Sequence, residues 1–127
     1  YNEMNVLSMH ALIGAYQPQG YEWVDELNQV LAGNIEYFCT YAEKHWKGVA
    51  FSRPQGTYMV FLDCTEWCRE HGRDIQWLLD EGARVGVGYQ DGRPFHGPCH
   101  IRVNLALPLS RVREACDRLD RYVFNAR

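Results

Sequence analysis

Arg102 and Asn104 stand two residues apart in the stretch Gly97–Pro108, GPCHIRVNLALP. A guanidinium is a planar fork of donors that matches a carboxylate or phosphate in bidentate geometry, and a neighbouring amide adds to it. Two uses are open from spacing alone: capture of an acidic ligand, or an ion pair with an Asp or Glu of the same domain. The histidines His10, His45, His71, His96 and His100 offer less. None has a Ser or Cys partner at the spacing of a nucleophile and its base. Cys99 and His100, being adjacent, point to opposite faces of a strand. Cys64, Cys68 and His71 could supply three zinc ligands, and His96, Cys99 and His100 form a second cluster. Neither contains the C-x-x-C pair of a structural site, so no metal is expected.

These groups need elements to position them. At a period of two, Ile101, Val103, Leu105 and Leu107 share one face, and His100, Arg102, Asn104 and Ala106 share the other. That pattern predicts a strand with one dry face and one face carrying the arginine. Pro108 closes it, and Ser110 is placed to cap a helix whose inward stripe is Val112, Ala115, Cys116, Leu119, Tyr122 and Val123. Arg111, Arg113, Asp117, Arg118 and Arg121 then face outward.

Upstream, the spacing predicts a helix over Glu3–Tyr16, a break at Gln17-Pro18-Gln19-Gly20, and a long helix from Tyr21 to Trp46. Its stripe is Val24, Leu27, Leu31, Ile35, Phe38 and Ala42, with Gly33 and Asn34 weakening the middle. Gly48–Arg53 and Thr57–Asp63 read as the strands of an antiparallel hairpin turning at Pro54-Gln55-Gly56. The second of these is apolar on both faces around Met59 and Phe61, which predicts a central place in the sheet. A short turn capped by Thr65, a helix over Arg73–Glu81 ended by Gly82, a strand over Arg84–Gly88 and a loop over Tyr89–Pro94 complete the chain. The expected fold is α+β, a small, mainly antiparallel sheet packed by helices.

The length of 127 residues fits a single domain, and a net charge of −3 gives no basic field for nucleic acid or anionic lipid. No apolar run is long enough to cross a bilayer, and no signal segment is visible at the N-terminus, so the chain is expected in the cytoplasm. Five cysteines, odd in number and in unrelated contexts, read as free thiols, Cys39 and Cys116 as small core residues. The chain opens at Tyr1 almost directly into a helix, as a segment cut from a longer protein would.

Two stretches together carry a resemblance. Pro54-Gln55-Gly56-Thr57-Tyr58-Met59-Val60-Phe61-Leu62-Asp63, followed by Ile101-Arg102-Val103-Asn104-Leu105-Ala106-Leu107-Pro108 and an amphipathic helix, resembles the C-terminal, small domain of the class I/II aminotransferases. These are fold-type I enzymes that use pyridoxal phosphate, and the chain is most similar to their cystathionine β-lyase (C–S lyase) branch. Asn5-Val6-Leu7 and Tyr21-Glu22-Trp23-Val24 also fit, so the resemblance covers nearly the whole chain.

The resemblance implies that Arg102 binds the α-carboxylate of an amino-acid substrate and moves no proton. It also implies one domain over residues 1–127, with connecting helices in 1–46 and sheet and helices in 47–127. In the parent enzyme pyridoxal phosphate would be the electron sink, the large domain that binds it a partner, and the assembly a homodimer. The chain departs from the pattern in three ways. Its only lysines, Lys44 and Lys47, lack the Ser-x-x-Lys context of a Schiff-base lysine. Groups for the pyridine nitrogen, the ring oxygen and the phosphate have no counterpart here. The usual Pro-Gly loop before the arginine strand is Tyr89-Gln90-Asp91-Gly92. No cofactor is therefore expected on this chain alone, and no residue of it is assigned a catalytic role. The alternative is a free-standing α+β module that binds a carboxylate or a protein and has no enzymatic activity.

Overall fold

The computed structural model describes residues 4–126, in two compact units divided between Ala32 and Gly33. In the first, α1 (Val6–Ala15) starts at Asn5, whose side chain accepts the Ser8 amide at 2.9 Å. No residue of α1 is buried. The expected break falls at Tyr16 and Gln17, and α2 (Pro18–His45) starts three residues earlier than the periodicity suggests. Pro18 is tolerated in a first turn because the N–H it lacks has no partner there anyway.

In the second unit, residues of α2 from Gly33 onward turn Asn34, Phe38, Cys39 and Ala42 inward. They share a core with Trp46, Val60, Leu62, Trp67, Leu78, Ile101, Leu105 and Val112. Three strands form the sheet: β1 (Met59–Asp63), β2 (Gln90–Asp91) and β3 (His100–Asn104), in the order β1-β3-β2 and antiparallel throughout. Around them lie α3 (Thr65–His71), α4 (Ile75–Arg84) and α5 (Leu109–Leu119). The fold is α+β, as expected.

The strand assignments need correction. Gly48–Arg53 is not a strand, and only Ala50 bridges to Asp63. Gly48 takes φ +80° and its carbonyl accepts the Trp67 amide, while Arg53 is drawn to Glu36 and Glu43 of α2, so the segment turns away from β1. The hairpin is absent, and β1 pairs instead with β3, which takes the central place expected of β1. Arg84–Gly88 is not a strand either. Its amides return to the end of α4, Val85 to Glu81, Gly86 to Ala83 and Val87 to Gly82, with Gly86 at φ +77°. This is a helix stop in which glycine supplies the left-handed residue. The short β2 lies inside the expected loop.

Helix ends differ as well. Cys64, not Thr65, occupies the cap of α3, and one residue before it the Asp63 carboxylate accepts both the Thr65 amide at 2.9 Å and the Thr65 hydroxyl at 2.5 Å. Pro108, not Ser110, occupies the cap of α5, and its carbonyl accepts the Arg111 and Val112 amides. After Leu119 the helix widens to a π-type turn over Asp120–Phe124. The extra residue per turn brings Phe124 into the core with Val123 and leaves Tyr122 exposed, against the expected stripe.

Candidate functional site

β3 has the two faces its alternation requires. Ile101, Val103 and Leu105 are buried, while His100 and Arg102 are half-buried and Asn104 is exposed. In register, Arg102 stands between Phe61 of β1 and Gln90 of β2. One terminal guanidinium nitrogen donates to Gln90 Oε1 at 3.0 Å, and the guanidinium carbon lies 4.7 Å from the centre of the Phe95 ring. The arginine is thus held by an amide oxygen and an aromatic face, a cation–π contact that leaves its charge unneutralised.

Arg53, Arg69, Arg84, Arg93, Arg111 and Arg118 each pair with a carboxylate; among the described residues Arg102 pairs with none. The alternative of an internal ion pair is therefore not realised among these residues. Asn104 does not join it as a donor pair. Its side-chain oxygen accepts the Ala106 amide at 2.8 Å and fixes the turn that leaves the strand.

The loop before β3 places Phe95. Arg93 is tied to Asp91 at 2.7 Å and to Gln76 of α4 at 3.1 Å, and a 3₁₀ turn over Arg93–Phe95 presents the ring. Gly97 packs against the Phe61 ring and His100, where a Cβ has no room. His100 stacks on Phe61 with ring centres 4.6 Å apart, its Nδ1 3.9 Å from an Asp63 carboxylate oxygen. Burial pushes the Asp63 carboxyl up, but hydrogen bonds from Thr65 and the nearby His100 outweigh it and hold the group below its usual range. On the same side of the sheet, Ala50, Phe51, Ser52, Phe61, Asp63 and His100 line a depression.

The strand's far end is fixed from the opposite side. Asn34, buried in α2, donates to the Leu105 carbonyl at 2.9 Å and the Leu107 carbonyl at 2.8 Å. The residue read as a weak point of the long helix is what ties that helix to the chain leaving β3.

The metal clusters are not assembled. His71 Nδ1 lies 2.8 Å from the Trp67 carbonyl and the His71 ring stacks on Trp67, apart from any shared ligand set with Cys64 and Cys68. Among the described residues no group of three His, Cys, Asp or Glu side chains is arranged to hold an ion. Lys44 ends α2 and Lys47 follows it, both exposed to solvent. An exposed ammonium at a helix end does not fit a buried imine-forming lysine.

Gln90 and Phe95 escape a reading of the sequence. Both fall in a stretch whose Asp91-Gly92 pair signals a loop, and the pairing of Gln90 with Arg102 is a matter of register that no local pattern shows.

No family model matches the chain. A Mycobacterium leprae protein named "Putative cystathionine beta-lyase" is 33% identical over 124 residues, covering 85% of this chain and 30% of that protein. The pyridoxal-phosphate-bound C–S lyase from Staphylococcus hominis superposes with a TM-score of 0.82 at 24% identity, over 94% of this chain and 32% of its own. Cystalysin from Treponema denticola, which contains pyridoxal 5′-phosphate, gives a TM-score of 0.79 at 22% identity, over 93% of this chain and 29% of its own. The chain spans about 30% of the length of the curated relatives it matches. It has the fold of the small domain of such enzymes.

Proposed function

We infer, from this kinship with the aminotransferase and C–S lyase branch of fold-type I pyridoxal-phosphate enzymes, that the chain is the C-terminal, small domain of an enzyme acting on amino acids. Its relatives and its fold fit that portion of such a protein. Residues 1–46 would serve as connecting helices and 47–127 as the body of the domain. A cytoplasmic homodimer working in amino-acid metabolism is part of the same reading.

Arg102 carries the functional part of the proposal. It binds the substrate's α-carboxylate. The observation behind this is the guanidinium held by the Gln90 oxygen and the Phe95 ring, with no carboxylate on it among the described residues. Such a fork keeps its charge for a ligand and has its orientation set in advance, which lowers the cost of ordering it on binding. When bound, pyridoxal phosphate draws electrons from the substrate's α-carbon; the lysine and phosphate groups for it belong to the large domain. The domain's own share is orientation: with the carboxylate fixed, rotation of the α-carbon substituents is restricted. The half-buried Met59 and Phe61 would face the large domain.

The test is to express the open reading frame that contains this segment, with its flanking coding sequence, and to record cofactor absorbance and turnover of L-amino acids. The expected result is a bound pyridoxal phosphate and elimination or amino transfer. A product without the cofactor would overturn the enzymatic reading and favour the carboxylate-binding module. A loaded enzyme whose KM is unmoved by Arg102→Ala would keep the enzyme and remove Arg102 from its site.

A further inference from the structure

The front face of the sheet carries a second ionised side chain that has no Lys or Arg partner among the described residues. Asp63 stands on β1 opposite His100, two residues along from Phe61, which stands opposite Arg102. Asp63 and Arg102 are therefore diagonal neighbours on one face, their Cα atoms roughly 7–8 Å apart, with Phe61 and His100 at the other two corners. Thr65 donates its amide and its hydroxyl to the same Asp63 oxygen, Oδ1, and among the described residues Oδ2 receives no donor. His100 Nδ1, 3.9 Å from Oδ1, is too far for a hydrogen bond, and it is buried without any other partner. Arg53, next in sequence to Ser52, is drawn away to Glu36 and Glu43.

Asp63 and His100 line the depression together with Ala50, Phe51, Ser52 and Phe61. Two phenyl rings and an unoccupied carboxylate oxygen are the parts of a site for an ammonium, since the rings attract a cation and the oxygen accepts its N–H groups. The Asp63 carboxyl titrates below its usual range, so it carries its charge at neutral pH.

We propose that the depression receives the distal ammonium of an amino acid whose α-carboxylate lies on Arg102, with Asp63 as the residue that selects it. This rests on the assignment of Arg102 to the substrate's carboxylate. The guanidinium leans toward Gln90 of β2 and the depression lies on the β1 side, so the ligand is a diamino acid with several bonds between its charged ends. Its apolar chain crosses Phe61 and its ammonium meets Asp63 Oδ2. An aliphatic side chain of equal length fills the same space without meeting the carboxylate's charge, and a distal carboxylate is repelled by it.

The experiment titrates the full-length, cofactor-loaded enzyme with L-lysine and with L-norleucine, which lacks the distal charge, and reads the absorbance of the bound pyridoxal phosphate. The expected Kd is about 10-fold lower for lysine. Asp63→Asn, which keeps an oxygen for Thr65 and removes the charge, brings the two values together. Equal Kd values in wild type, or a preference for lysine that survives Asp63→Asn, would overturn the proposal. Arg102→Ala separates the two assignments, because it should weaken both amino acids and keep their ratio. If it weakens neither, the carboxylate assignment falls and takes this proposal with it; if only the ratio behaves otherwise than expected, this proposal falls alone. Should Asp63→Asn fail to fold, Phe51→Leu, which leaves the Thr65 bonds in place, should cut the preference about 2- to 5-fold, and an undiminished preference there would be equally fatal.

Discussion

The two faces of β3 differ in what their neighbours do for them. Behind the strand, Ile101 and Leu105 are 0% and 1% exposed, closed in by apolar side chains, and what matters is volume. In front, Arg102 is held by one amide oxygen and one ring, and what matters is direction. A fold can spend a strand's alternation on both tasks because residues two apart share a face and adjacent ones do not. Stability should therefore be sensitive to the first face and nearly blind to the second, while ligand recognition should show the reverse.

Leu62→Ala, in the fully buried set that packs behind the sheet, tests that contrast hardest. It should lower unfolding free energy by about 2–5 kcal/mol, read from urea denaturation. Asn34→Ala comes next. It removes the side-chain donor shared by the Leu105 and Leu107 carbonyls, of which Leu105 keeps the Leu107 amide, and about 1–3 kcal/mol should be lost on the same curve.

Asp63→Ala sharpens the comparison from the front face, since it removes the acceptor of the Thr65 amide and hydroxyl at the start of α3 and should cost about 1 kcal/mol at neutral pH. Because the folded carboxyl is held below its unfolded value, its contribution is complete above the unfolded pKa and fades as pH falls through the folded one. The gap between wild type and variant should accordingly close on acidification below roughly pH 4. Arg102→Ala should change stability least, within about 0.5 kcal/mol. A loss as large as that of Leu62→Ala would mean that the arginine serves the fold.

The sequence made much of this legible where one local rule governs. The alternation of Ile101, Val103 and Leu105 marks β3 and aims Arg102, and the stripes at Phe38 and Ala42 and at Val112 and Cys116 mark their helices. It misled where two rules compete. Gly48–Arg53 carries strand-forming residues, yet the pull of Glu36 and Glu43 on Arg53 decides its course. Val85 and Val87 alternate with glycines like a strand, yet their amides finish α4. Gln90, Phe95 and the Asn34 tie depend on contacts between distant segments, and composition near each residue says nothing of them.

The claim that Arg102 reads a carboxylate is tested most directly by pairing an L-amino acid with its carboxamide in the cofactor-loaded, full-length enzyme. The measured quantity is the ratio of their kcat/KM values in wild type and in Arg102→Lys. The account predicts that wild type prefers the acid by about 10- to 100-fold and that this preference collapses in the variant, because an ammonium lacks the planar fork. A preference that survives Arg102→Lys and Arg102→Ala unchanged would contradict it.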